Sequence, residues 1–406
     1  MTLLTLELFE ILRGFSSLVP PNSLIFPTRL SSSLIHDFFL TSILTSPHFK
    51  IFPPSVQYQK QFWKWAITHL ETLDGDEASA STDPRIYDHY ISLMPPPGPA
   101  LGSAKIDSRC LQGLPLQVPP SQSYVTHFWR VPSEGPEYHV PGGTINTTEY
   151  ETVTLLESRT TIESGTTGLR TWLASFVLSE YLINHPADLV RNKRILELGS
   201  GIGFLGIIVA SLQQDVSPKN TSNIGLCMSD INEDILQRCK ENIQLSSSES
   251  ALNRNISYRI IDWSSALDPE TLPSLYQLIQ GEINADLVLG ADLVFDPTLI
   301  PALIATIKLC LQPKHVSSTS KTIPKMALIS VTVRNQNTLT TFLSLAQGAF
   351  FLSSYNLPLL TLKYTGEHLR VEELKKQSQT LFLETIENNN HDNVKLFRFS
   401  LQNVSM

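Results

Sequence analysis

The densest chemistry in the sequence lies in ILELGSGIGFLG, where one apolar run stops at Gly199, Ser200, Gly201, Ile202 and Gly203 and a second begins at once. Read as strand, loop and helix, these residues let backbone approach a ligand closely while the helix N–H groups face it. Such a loop binds a nucleotide. The same letters hold G-x-G-x-x-G at Gly201, Gly203 and Gly206, so alone they leave open a nicotinamide dinucleotide and any other adenosine ligand. Asp230 ends the next strand-like run, where a carboxylate can accept both ribose hydroxyls; capping of the following helix is the plain alternative. Asp262 and Trp263 end the third, where an indole can flank an adenine and a carboxylate can accept its amino group. For Trp263 the plain alternative is core packing. Three successive strand ends thus address one nucleoside. Glu197, two residues ahead of the glycines, adds an acid that serves equally well as a structural hydrogen-bond acceptor.

GADLVFD ends a fourth run, at the rim where ligands gather in open α/β sheets. Its Asp292 is followed three residues later by Phe295, whose ring walls an apolar channel and offers a π face to a cation, without a hydroxyl to donate. Helix capping for Asp292 and core packing for Phe295 are the competing roles. The ten histidines form no HxH or HExxH, and no GxSxG elbow has a triad around it, so hydrolase and metalloenzyme chemistry have nothing to rest on.

The elements that must hold these residues alternate. RILELG, GLCMSD, ISYRIIDW, ADLVLGAD and MALISVTVR read as strands separated by helices, which means a parallel α/β sheet with helices on both faces. FFLSSY and VKLFRFSL read as a closing antiparallel hairpin on its edge. Ahead of the first strand, Leu169, Trp172, Leu173, Phe176, Val177 and Leu182 keep helical spacing from a start at Thr166 or Thr167. Residues 1–75 read as a helical region: Leu3, Leu4, Leu6, Leu8, Ile11 and Leu12 form one stripe, 34–44 a second stretch and 57–73 a third, punctuated by Pro20, Pro21, Pro53 and Pro54. The run 76–150, with Pro95, Pro96, Pro97, Pro99, Pro115, Pro119 and Pro120, reads as a mostly irregular proline-rich connector. The third region is 151–406. Polar insertions at 217–223 and 315–322 read as surface loops.

Composition narrows the function. The chain has 406 residues, 42% hydrophobic and 17% charged, which is globular in balance and long enough for more than one core. Its net charge of −8, with no Lys/Arg block, leaves no footprint for nucleic-acid phosphates and suits a basic partner. Cys110, Cys227, Cys239 and Cys310 form no CxxC, so a disulfide scaffold and structural zinc have no support and a reducing compartment follows. The apolar N-terminus carries Glu7 and Glu10 and lacks a basic start, so it reads as an amphipathic helix, and no apolar run is long enough to span a bilayer. A soluble, cytoplasmic, monomeric protein is expected.

Taken together, GTTGLRTWLAS, ILELGSGIG, MSDIN, IDW and GADLVFD resemble the seven-β-strand methyltransferases of the lysine-modifying group, whose substrates are non-histone proteins. FWKWAITHLE followed by the proline-rich stretch resembles, within that group, the elongation factor 2 lysine methyltransferases. The resemblance implies a seven-stranded Rossmann-like methyltransferase sheet over 151–406, S-adenosylmethionine as cofactor, and a translation factor, elongation factor 2 first, as protein substrate. It implies cofactor contacts from Trp172, Gly199, Ser200, Gly201, Asp230, Trp263 and Ala291, and catalytic roles for Asp292 and Phe295, with Phe where the family usually has Tyr. Methyl transfer then asks for an amine nitrogen held in line at roughly 3 Å from the methyl carbon, with water kept out. An apolar channel helps lysine shed its proton, and Asp292 is expected to steer the incoming ammonium. A non-catalytic scaffold that keeps the nucleotide fold and a nicotinamide-dependent oxidoreductase are the alternatives.

Overall fold

A computed structural model describes residues 3–74, 82–95, 122–132, 143–163, 165–214, 224–313, 324–348, 368–376, 381–382 and 392–402. The insertions at 217–223 and 315–322, Cys110 and the FFLSSY run lie outside the described residues. Two compact units divide the chain: Met1–Phe128 with Gly135–Gly165, and Trp129–Glu134 with Thr166–Met406.

In the first unit, β1 (Leu3–Thr5) leads directly into α1 (Leu6–Ser16), whose first turn is capped by the Thr5 hydroxyl accepting from the Leu8 N–H. Then come α2 (Ser32–Phe38), running on through a π turn at Phe39–Leu44, α3 (Pro47–Ile51), α4 (Val56–Asp74) and α5 (Pro84–Ser92). Leu8, Phe9, Ile11 and Phe15 of α1 pack with Phe39 and with Phe62, Trp63 and Leu70 of α4 in one aromatic-rich core. Burying each such side chain contributes about 1.5–3 kcal/mol. Leu3, expected on the helical stripe, is instead 62% exposed in the short strand.

The proline-rich stretch contains built structure. Pro84 starts α5 behind an Asp83 cap, and the β-branched and aromatic run ending in YVTHFW forms β2 (Gln122–Trp129). A third element, β3 (Thr144–Asn146), pairs antiparallel with β1, and β2 pairs with β4 (Glu151–Ser158). Prolines mark breaks between short elements as readily as they mark irregular chain, so their number concealed the strands that separate them.

The second unit runs α6 (Leu173–Asn184), α7 (Pro186–Leu189), β5 (Arg194–Leu198), α8 (Phe204–Gln214), β6 (Gly225–Asp230), α9 (Glu233–Ile243), β7 (Ile256–Ile260), α10 (Leu272–Tyr276), β8 (Leu287–Ala291), α11 (Ile300–Leu311), β9 (Met326–Thr332), α12 (Gln336–Ala346), β10 (Leu369–Leu374) and β11 (Val394–Leu401). Its seven-stranded sheet has the order β10-β11-β9-β8-β5-β6-β7. β7, β6, β5, β8 and β9 are parallel, and β11 is antiparallel to both neighbours. VKLFRFSL forms β11, which pairs antiparallel with β10 at the edge of the sheet and with β9 inside it; its expected partner, FFLSSY, lies outside the described residues. Val394, Leu396, Phe397 and Phe399 are all buried, which an inner position satisfies and an edge does not.

Helices cover both faces. Leu196, Val288, Ile329 and Phe399 pack against α11 and α12, while Ala291 and Val394, of opposite parity, pack against α6. The strand order reverses between β5 and β8, and the crevice at that switch point is where an open α/β sheet receives its ligand. Among the described residues no helix is long and apolar enough to cross a membrane.

Candidate active site and cofactor cavity

A cavity of about 400 Å³ opens at the carboxyl ends of these strands. Trp172, Gly199, Ser200, Gly201, Asp230, Trp263, Ala291, Asp292 and Phe295 all line it. The sheet therefore brings together every site residue read from the sequence.

The glycine loop follows directly from β5. Gly199, Gly201 and Gly203 have φ of +60°, +52° and +93°, a region L side chains rarely adopt. Space is tight as well: a Cβ on Gly199 would displace the Leu293 Cδ2 methyl, 2.5 Å away, and one on Gly201 would press on the Gly168 carbonyl oxygen at 3.1 Å. Ser200 ties the loop to β6, its N–H donating to the Ser229 carbonyl at 2.8 Å and its hydroxyl accepting from the Ser229 N–H at 2.9 Å.

Asp230 does not cap α9. Asn232 does, accepting from the Asp234 and Ile235 N–H groups. Asp230 instead accepts from the Gly201 N–H at 3.3 Å and the Asn232 N–H at 3.1 Å, which holds the loop and the helix start around one carboxylate. Burial raises its pKa against the opposing pull of those N–H groups. Glu197, 3% exposed, has its pKa raised well above the usual value by burial and then by the Asp230 charge. Its Oε2 has no hydrogen-bond partner, so the structural-acceptor role leaves that atom unexplained. Trp263 is half-buried beside Gly199, and Asp262 is exposed with its Oδ1 accepting from the Ser264 N–H at 2.8 Å.

The helix start expected at Thr166 or Thr167 lies at Leu173. Gly165 at φ +77° breaks the chain direction, and residues 166–172 form a loop on the cavity wall. Within it the Thr166 hydroxyl accepts from the Gly168 N–H, and the Trp172 indole N–H donates to the Thr167 carbonyl at 3.1 Å.

Asp292 and Phe295 escape their competing roles. The short 3₁₀ turn after β8 is capped by Asp296, and Phe295 is 55% exposed at the cavity rather than packed in the core. Asp292 is buried at φ +60°. Its Oδ1 accepts from the Thr332 N–H and Arg334 Nη1, each at 3.1 Å, and its Oδ2 from Arg334 Nη2 at 2.6 Å. Arg334 was not legible as a site residue, because an arginine just past a strand is ordinary surface sequence. A bare carboxylate steering an ammonium is therefore not what the site presents: the acid is already counter-charged.

Residues 152–345 match the family described as lysine methyltransferase. This stretch, which holds the cavity and the parallel strands around it, is similar to lysine methyltransferases. A protein-lysine N-methyltransferase, EFM3 of Chaetomium thermophilum, is 28% identical over 292 residues, 72% of each chain. EFM3 of Saccharomyces cerevisiae is 24% identical over 44% of this chain and 48% of its own, and the human protein-lysine N-methyltransferase EEF2KMT 31% over 38% and 44%. The alignments thus span about half the length of these last two relatives. The methyltransferase cavity fits S-adenosylmethionine, the methyl donor of this class. Its volume suits a small-molecule ligand, its glycine cradle admits close backbone approach, and the unpartnered Glu197 Oε2 suits a ligand that carries cationic groups. Among the described residues no cluster of potential metal ligands occurs.

Proposed function

We propose that the chain methylates a lysine of translation elongation factor 2, in the cytoplasm and as a monomer. The observation that carries this reading is the arrangement of one cavity with a nucleoside-type wall on one side and an acid–aromatic pair on the other. Asp230, the glycine loop and Trp263 form the first; Asp292 and Phe295 form the second. The relative named EEF2KMT and the resemblance of FWKWAITHLE to the elongation factor 2 enzymes support the substrate, and the relatives named EFM3 support protein lysine as the acceptor.

The roles follow from position. Asp230 accepts the ribose hydroxyls, Trp263 flanks the adenine, and Gly199, Ser200 and Gly201 allow the cofactor to lie against backbone. Trp172 and Ala291 close the remaining walls. When bound, S-adenosylmethionine supplies a methyl group on a sulfonium that is already activated toward a nucleophile.

This chain's residues then select the nucleophile's form. Phe295 gives the exposed mouth an apolar wall that excludes water from an entering lysine and favours its neutral amine. Asp292, balanced by Arg334, keeps lone pairs to orient that amine without trapping an ammonium. The N-terminal unit, Met1–Phe128 with Gly135–Gly165, is proposed to recognise the folded partner, since a methyltransferase acting on a folded protein needs contact area well beyond one lysine. Incubation with methyl-labelled S-adenosylmethionine and cell extract, followed by mass spectrometry of the labelled band, tests the reading. Label on elongation factor 2 supports it; label confined to another protein replaces the substrate.

A further inference from the structure

We infer that Arg334 is a positioning residue that couples the acceptor-side acid Asp292 to the cofactor-side loop through Trp172. The inference rests on the proposed reading of the cavity as the methyl-transfer site.

Three separate elements meet at this side chain. Arg334 lies two residues beyond β9, Asp292 directly after β8, and Trp172 at the end of the loop that precedes α6. The guanidinium places one nitrogen on each oxygen of Asp292, and its Cζ stands 5.2 Å from the centre of the Trp172 ring. A planar cation can do both at once, binding a carboxylate with its edge and an indole with its face.

An exposed ion pair would contribute little, but this one is not of that kind. The Asp292 side chain is 4% exposed against 45% for Arg334, so the acid has almost no water to replace its partner. Trp172 is anchored at one edge by its indole N–H to the Thr167 carbonyl, and Arg334 stands over its ring, so the guanidinium links this loop to Asp292.

The consequence is geometric. Methyl transfer needs donor and acceptor atoms aligned, and a misplacement of about 1 Å costs on the order of a hundredfold in rate. Asp292 faces the acceptor and Trp172 the cofactor, so a residue that fixes both sets the alignment between them.

The experiment compares full-length wild type with R334A, R334K, D292N and the R334A/D292N double variant. It reads thermal melting, titration with S-adenosylmethionine and turnover on purified elongation factor 2. R334A is expected to weaken S-adenosylmethionine binding and to lower kcat, each by roughly tenfold or more. R334K keeps the charge without the flat fork, so it should regain the wild-type melting temperature but not the wild-type kcat. The double variant should lose less than the product of the single losses by a factor of about 3 or more, because both changes break one contact. Wild-type affinity and kcat in R334A, or in R334K should R334A not fold, overturn the inference, as do losses in the double variant that simply multiply. Wild-type protein that fails to methylate elongation factor 2 counts against the proposed function. Unchanged S-adenosylmethionine affinity in a folded Arg334 variant counts against this inference in either case.

Discussion

Arg334 holds Asp292 by both carboxylate oxygens, at 3.1 and 2.6 Å, while the Asp292 backbone sits in the left-handed region at φ +60°. The two features separate two substitutions. Asparagine tolerates this backbone and keeps an acceptor for the Thr332 N–H, whereas alanine strains the backbone and leaves that N–H without its partner. Asp292→Asn should fold, with some loss of stability because its amide nitrogen would face an Arg334 donor, and should lose turnover. Asp292→Ala should in addition lose about 1–3 kcal/mol in denaturant unfolding. Equal stability of the two variants would remove the backbone argument.

Glu197 makes stability depend on pH. Its folded pKa is raised well above 4.5 by burial and by Asp230, so the folded protein binds its proton more tightly than the unfolded chain does. The stability it lends is complete below 4.5 and is lost as pH rises toward the folded value, by at most about 1.4 kcal/mol per pH unit. Glu197→Gln should therefore flatten the dependence of melting temperature on pH above 4.5. A variant whose curve parallels the wild type would show that another group sets it.

Gly201 is constrained twice, by φ +52° and by the Gly168 carbonyl oxygen 3.1 Å from where a Cβ would stand. Gly201→Arg should abolish S-adenosylmethionine binding in a titration. If a folded Gly201→Arg protein binds it normally, the cofactor does not lie on this loop.

The site was legible where chemistry coincides with register. Asp230, Trp263, Ala291 and Asp292 each stand at or just beyond the end of an apolar run, and parallel strands align such ends on one rim. Arg334 was hidden because its partner is 42 residues away in sequence and nothing local marks it. The start of α6 was misplaced for a related reason: Leu169 continues the helical spacing, while residues 166–172 form a loop held by bonds from the Gly168 N–H to the Thr166 hydroxyl and from the Trp172 indole N–H to the Thr167 carbonyl. β10, LRVEEL, carries Arg370, Glu372 and Glu373, and its hydrophobic signal is too thin to distinguish an edge strand from a loop.

The division into two units bears on truncation. Deleting residues 1–150 removes β2 and leaves β4, with Val153 and Leu155 fully buried in the intact chain, without its partner strand. That fragment should aggregate. Deleting 1–165 removes β4 as well, together with Trp129–Glu134 of the second unit, and should leave a soluble protein, less stable than the full chain, that still binds S-adenosylmethionine while methylation of the protein substrate disappears. A soluble 1–165 deletion that methylates at the full rate would end the recognition role, and an insoluble one would make the N-terminal unit structural.

The most direct test is methyl transfer from labelled S-adenosylmethionine to purified elongation factor 2 by the full-length protein, with the modified residue located by mass spectrometry. Label is expected on a lysine Nζ of elongation factor 2 with the wild type and on none with Gly201→Arg. Tight S-adenosylmethionine binding by the wild type, without label on lysine in elongation factor 2 or in any protein of a cell extract, would contradict the account.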